Sequence, residues 1–127
     1  MTAAEDEEHK PYKSLKHFLE VNNHLDEKNM ILKIDIEGME WEFLNTVESD
    51  ILKKFDQIIF EFHNIIKPQT INIVKMLEKL NQTHDLVHLH GNNSSNLLKV
   101  GYSYIPDVFE ATYVNKEKYK ISKQKTK

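Results

Sequence analysis

The sequence predicts an α/β fold built on a mainly parallel sheet. Short apolar runs at residues 31–36, 57–62 and 86–90 read as strands, and helix-patterned stretches separate them. A further segment, 107–114, alternates like a strand. Nothing between it and the run at 86–90 has helical spacing, so these two are expected to run antiparallel.

The elements follow in order. Residues 13–22 set Leu15, Phe18 and Leu19 on one helical face, and Asn22 and Asn23 end the helix. The first strand, ILKIDI, runs to residue 36 and is followed by Gly38. The next stretch, EWEFLNTVESDILKKF, carries Trp41, Leu44 and Val47 on a helical stripe that Ile51 and Leu52 continue less regularly. QIIFEF at 57–62 is the second strand. Pro68 and Thr70 open a helix with Ile73, Val74, Leu77 and Leu80 as its core face. LVHLH at 86–90 is the third strand, GNNSSN a loop, and DVFEATYV the fourth strand. The expected sheet has four strands, three parallel and one reversed, with helices covering both faces.

Composition narrows the function. A chain of 127 residues makes one domain. With 39% hydrophobic and 29% charged residues it is neither disordered throughout nor membrane-embedded. No apolar run approaches the roughly 20 residues of a bilayer span, and no secretory leader opens the sequence. The absence of cysteine excludes a disulfide scaffold, a thiolate nucleophile and cysteine-ligated zinc, and fits a cytoplasmic protein. A net charge of -3 argues against a nucleic-acid binder, so neither nucleic acid nor membrane is an expected partner. Residues 1–12 are polar and acidic, a flexible N-terminal segment by composition. Residues 116–127 hold six lysines and one glutamate, a basic solvated tail. The domain proper is then 13–115.

The polar residues gather at the strand ends. The first strand ends in Asp35 and Glu37, the second in Glu61 and His63, the third in His90, Asn92 and Asn93. Parallel strands put these tips along one edge, where open α/β sheets bind ligands. A reversed fourth strand would begin at that edge and bring Tyr104, Pro106 and Asp107 to it. Plainer roles exist for each piece. Asp35 would satisfy amides at the next helix start, Glu61 would pair with Lys33, and His88 and His90 would be structural histidines on one strand face. Asn92 and Asn93 suit a tight turn in any case. Together the groups suit general acid–base work or a divalent cation. A small metal-dependent enzyme using Glu61, His63 and His90 is therefore one reading, although no tight ligand spacing supports it. No glycine-flanked serine makes a nucleophile elbow, which excludes a hydrolase triad of that kind.

The stretch Leu32-Lys33-Ile34-Asp35-Ile36-Glu37-Gly38-Met39-Glu40-Trp41-Glu42-Phe43-Leu44 resembles the lKiDiEGaE…L signature of FkbM-type S-adenosylmethionine-dependent methyltransferases. Ser14 to Leu19 resembles the helix before that motif, and Ile59-Phe60-Glu61-Phe62-His63 resembles the family's iiiEfH strand. His88 to Asn93 and Ile105 to Val114 are similar to the last two strands of a subset of the family. The likeness spans residues 14–115, and its first motif is the specific one.

The resemblance implies a seven-stranded Rossmann-like methyltransferase sheet, of which this chain matches the C-terminal half: about four strands in the order 4-5-7-6, the last antiparallel. The family's first strand ends in a glycine-rich cofactor turn, yet no glycine precedes Gly38 here. The implied activity is methyl transfer from S-adenosylmethionine to a hydroxyl of a sugar or another small-molecule or glycan acceptor, by a fragment inactive alone. By the same resemblance Asp35, Glu61 and His63 are catalytic: Asp35 lies near the methyl, and Glu61 and His63 orient or deprotonate the acceptor. Asp35 and Glu37 touch the cofactor, His90 and Asn92 the acceptor, and no metal is assigned. The alternative is a non-catalytic half-domain serving as a dimerisation or interaction module. In either case the first strand lacks a neighbour. Ile31, Leu32, Ile34 and Ile36 would form an apolar edge that pairs in a homodimer, through this strand or the surface around Trp41.

Overall fold

A computed structural model of the chain describes residues 14–63, 72–92 and 97–120. The acidic segment 1–12, the helix start at Pro68 and Thr70, Asn93, and the tail beyond residue 120 lie outside the described residues. Along the chain the elements are α1 (Leu15–Val21), β1 (Met30–Ile34), α2 (Glu40–Thr46), α3 (Ser49–Leu52), β2 (Phe55–Phe62), α4 (Ile73–Asn81), β3 (His84–Gly91), β4 (Leu97–Val100), β5 (Ser103–Pro106) and β6 (Phe109–Asn115).

The main sheet has the order β1-β2-β6-β3. β1 and β2 are parallel, and β6 is antiparallel to both β2 and β3, so β3 runs with β1 and β2. This is the four-strand arrangement, with its reversed strand third in order, that the family resemblance implies. The hairpin β4–β5 was not expected from the sequence. It lies between the GNNSSN loop and the fourth expected strand, where the sequence assigns no element, and it turns at Gly101, whose φ of 62° suits glycine.

One face of the sheet carries the core. Along β2, Ile58, Phe60 and Phe62 are buried, and Ala111 and Tyr113 continue the layer on β6. Trp41 stacks on Phe62 at 4.6 Å between ring centres, and Phe62 stacks on Phe60 at 4.7 Å. Phe60 meets Tyr113 edge-on at 6.2 Å. α2 and α4 lie against each other over this layer. Two crossovers in the same direction along the sheet put their helices on the same side, because each is right-handed. The opposite face alternates Gln57, Ile59 and Glu61 on β2 with Glu110, Thr112 and Val114 on β6, all half-buried or exposed. Among the described residues, then, the core lies on one face rather than two. The run QIIFEF looks continuously apolar, but its period-two alternation leaves every second residue on a half-open face.

Several local expectations change for geometric reasons. The stretch 40–52 is two helices, because Val47 and Glu48 are extended at ψ near 138° and 139°. Lys79 of α4 donates its ammonium to the carbonyls of Leu44 (2.7 Å) and Val47 (2.5 Å), holding the end of α2. Burial lowers the Lys79 pKa. On α4 the inward face is Ile73, Met76, Leu77 and Leu80, while Val74 is exposed. Phe18 is exposed on α1, leaving Leu15 and Leu19 to the core. On the outer strand β1, Ile34 is buried and Leu32 half-buried against the core. Only Ile31 and Ile36 are open, not all four apolar residues of the expected edge.

β6 is fastened to the start of β2. Asn115 donates to the carbonyls of Lys53 (2.9 Å) and Phe55 (3.2 Å), and Lys118 pairs with Asp56. Lys116 returns its backbone N–H to the Thr83 carbonyl at 3.0 Å. No helix among the described residues is long and apolar enough to cross a membrane.

His84 completes this end of the core. It is fully buried, and its Nε2–H donates to the Phe55 carbonyl at 2.9 Å while Nδ1 faces the Thr83 hydroxyl at 2.7 Å. Burial pushes its pKa down, outweighing the Phe55 carbonyl and the charge of Asp85. The unfolded chain therefore takes up a proton near pH 6.5 that the folded chain refuses. Stability is kept above that pH and falls as pH drops below it. Urea midpoints measured between pH 7.5 and 5.5 are expected to fall more steeply for the wild type than for His84→Gln; parallel curves would show that His84 carries no such linkage.

Candidate functional site

The turn from β1 to α2 builds the site. Asp35 and Ile36 leave the strand, and Glu37 and Gly38 take positive φ values of 51° and 104°. Such a conformation costs a glutamate more than a glycine, and it reverses the chain within four residues, closed by Met39 N–H to the Ile36 carbonyl at 3.3 Å. α2 then begins at Glu40, whose side chain has no solvent exposure. Its Oε2 accepts from the Gly38 N–H at 2.8 Å. Its Oε1 accepts from the backbone N–H of His63 at 2.9 Å and faces His63 Nδ1 at 2.5 Å. The next residue, Trp41, donates its indole N–H to the His63 carbonyl at 2.9 Å. The first two residues of α2 thus hold His63 by its amide, its carbonyl and its ring.

With Nδ1 bound to Glu40, the other ring nitrogen of His63 faces outward. It lies 3.8 Å from Asp35 Oδ1 and 3.7 Å from Glu61 Oε1. One donor atom from each of Asp35, Glu61 and His63 falls within 4.8 Å of the others. Their surroundings shift their acidity. Burial opposes charge on His63, but the bond to Glu40 and the neighbouring carboxylates outweigh it and raise the pKa. Glu61 is also raised, first by a hydrogen bond with Asp35, then by burial and the Asp35 charge; His63 and Lys33 pull the other way. Glu61 is therefore engaged by Asp35 and His63 rather than by the Lys33 ion pair. The amide-binding role open to Asp35 belongs instead to Glu40.

Through Glu61 the cluster borders a shallow hollow of about 190 Å³ lined by Glu61, His90, Asn92, Val108 and Glu110. Register explains the lining. Glu61 pairs across β6 with Glu110, and Glu110 pairs with His90 on β3, so the three side chains form a row on the half-open face. His88 and His90 stack at 6.4 Å between ring centres, on one strand face as the alternation predicts. Asn92 closes the end of the hollow and donates its backbone N–H to the Val108 carbonyl at 2.9 Å. β3 approaches the hairpin closely there: a Cβ on Gly91 would stand 2.9 Å from Pro106 Cγ.

The structure brings Asp35, Glu61 and His63 together and sets His90 and Asn92 along the same hollow. Glu37 is exposed on the turn beside them. Tyr104 is exposed on the hairpin, and Asp107 is buried outside the residues lining the hollow. His90 is separated from Glu61 by β6, so the grouping of Glu61 and His63 with His90 is replaced by one with Asp35. Glu40 was not singled out by sequence reasoning. The available signal was its place at the first position of a helix after a glycine turn, where a carboxylate reaches back to free amides.

Removing the Glu40 carboxyl strands part-buried N–H groups of Gly38 and His63. Glu40→Ala is expected to cost about 2 kcal/mol, at about 1 kcal/mol, the low end of the range, for each of the two part-buried groups. Urea unfolding measures this as a lower midpoint at constant m-value. A midpoint equal to wild type would show that these bonds do not hold the turn.

The comparisons with known proteins agree with this architecture. The chain matches the family model described as "Methyltransferase FkbM domain" over residues 5–104, which takes in β1, the glycine turn, Glu40, β2 and β3. No curated protein and no solved structure matches it. The motif from Leu32 to Leu44, the strand ending in Glu61 and His63, and the family match together place this chain in the FkbM methyltransferase domain family.

Proposed function

We propose that this chain supplies the acceptor side of an O-methyl-transfer centre, with a hydroxyl of a sugar or similar small molecule as the group methylated and S-adenosylmethionine as donor. One observation carries the reading: in a member of a methyltransferase family, Asp35, Glu61 and His63 converge at the carboxyl ends of adjacent parallel strands. A hydroxyl nucleophile has to be held in line and relieved of its proton. These three groups are proton acceptors grouped around one point. The row Glu61, Glu110 and His90, with Asn92 beyond it, offers hydrogen-bonding partners for the rest of a polar acceptor.

The described residues do not by themselves fit the donor. The turn after β1 is a strand–glycine–helix turn, but the Gly38 N–H is already bound to Glu40 and is closed to a ligand. Asp35 and Glu37 stand exposed beside the outer strand, so they form one wall and no enclosed nucleotide pocket. We read the chain as a methyltransferase half that needs a cofactor-binding half alongside β1. When present, S-adenosylmethionine supplies an electrophilic methyl group; this chain's residues hold the hydroxyl and receive its proton. The same outer strand would seat a second copy under either reading, so label transfer by the complemented enzyme, rather than the state of association, separates a methyltransferase half from an assembly module.

Calorimetry of this chain with S-adenosylmethionine is expected to show no binding; micromolar affinity would contradict the incomplete pocket. With a cofactor-binding half supplied in trans, methyl-labelled donor should pass label to a hydroxyl acceptor. Asp35→Asn should then lower turnover by at least about 10²-fold, the scale of lost acid–base assistance. Absence of transfer to any hydroxyl acceptor in the complemented enzyme would end this reading.

A further inference from the structure

We propose that Asp35, Glu61 and His63 bind one first-row divalent cation, of the Mn²⁺ or Zn²⁺ type, at the carboxyl ends of β1 and β2. The inference deepens the methyl-transfer reading and rests on it for its role, since the cation would hold the acceptor hydroxyl.

The geometry is that of a ligand set. The Nε2–carboxylate separations of 3.7 and 3.8 Å exceed the 2.7–3.2 Å range of a hydrogen bond. At that spacing the groups are charge neighbours without a direct hydrogen bond between them. Ligands about 2.1 Å from a shared cation lie roughly 3.0–3.4 Å apart, so a small closure suffices. The two carboxylates, which otherwise engage each other, are solvent-accessible enough to turn to a shared ion: the side chains of Asp35 and Glu61 are 43% and 27% exposed. His63 is not free, because Glu40 and Trp41 fix its ring and backbone. That is the arrangement of a metal-binding histidine, whose second nitrogen is bound by a carboxylate that sets the tautomer and turns the lone pair of Nε2 to the metal.

The chemistry of the donors selects the ion. Two carboxylate oxygens alone would suit Mg²⁺ or Ca²⁺, while an imidazole nitrogen favours Mn²⁺, Fe²⁺ or Zn²⁺. Three protein ligands would leave coordination positions for the acceptor, and one of the three, Glu61, also borders the hollow with Glu110, His90 and Asn92. A plain ion-pair cluster would not need its histidine locked from three directions by a fully buried carboxyl and an indole.

The test uses the chain as it is, without donor or acceptor. Titration with Mn²⁺, followed by calorimetry and by loss of the free-ion paramagnetic resonance signal, should give one saturable site. Asp35→Asn and Glu61→Gln should each weaken it by at least about tenfold. His88→Ala, on β3 beyond the intervening β6, should leave the affinity unchanged, and circular dichroism should show all variants folded. Non-saturable binding, or affinity unchanged in both carboxylate variants, would overturn the site. If the cation binds as expected but the complemented enzyme transfers no methyl group, the cation site stands and the methyl-transfer reading fails; if transfer proceeds without any bound cation, the reverse holds.

Discussion

The carboxyl group of Glu40 is the constraint on which the site depends. It is fully buried, and a buried carboxyl is costly unless donors surround it. Here the donors are the Gly38 amide, the His63 amide and the His63 ring. Those groups come from the end of β1 and the end of β2, so satisfying one side chain joins two strand tips at a fixed spacing. The backbone cooperates by accepting a left-handed conformation at Glu37 and Gly38, which aims the start of α2 back at the sheet. Trp41 then does two jobs at once: its ring caps the Phe62 and Phe60 stack, and its indole N–H holds the His63 carbonyl. Core packing and site geometry are therefore coupled through adjacent residues.

The sheet's asymmetry gives the site its setting. One face is filled by aromatic and aliphatic side chains under α2 and α4. On the other, the polar members of β2, β6 and β3 remain at least half-open, and pairing register lines up Glu61, Glu110 and His90. The insertion of β6 between β2 and β3 matters here. It keeps Glu61 and His90 on one face while separating them by a strand. Asp35, just past the end of the strand beside Glu61, is left to complete the cluster. The result is a compact acidic and imidazole group at one end and a polar hollow extending from it.

Much of this was legible in the chain. Short apolar runs gave three strands of the main sheet and an alternating segment the fourth, and the lack of helical spacing after β3 gave β6 its reversed direction. The carboxyl-edge rule then placed Asp35, Glu61, His63, His90 and Asn92 near one another before any coordinates. Other features were not legible. Val47 and Glu48 break a helix that periodicity would continue, because Lys79 from a distant helix claims the carbonyls there. Val74 and Met76 exchange roles on α4, since two adjacent apolar residues leave the helix face ambiguous by one position. The hairpin β4–β5 has too few residues per strand to stand out in an asparagine- and serine-rich connection.

What the sequence determined by itself was the four strands of the main sheet, their directions and the polar residues at their ends. Those follow from local periodicity and from a rule of topology, which need no knowledge of contacts. Which of those polar residues meet was decided only by the tertiary structure. Asp35 rather than His90 joins Glu61 and His63, because β6 occupies the intervening position in the sheet. Glu40 gained its role in the same way. Its partner is 23 residues away, and only a folded strand end brings an amide and a ring nitrogen to a carboxyl hidden from water.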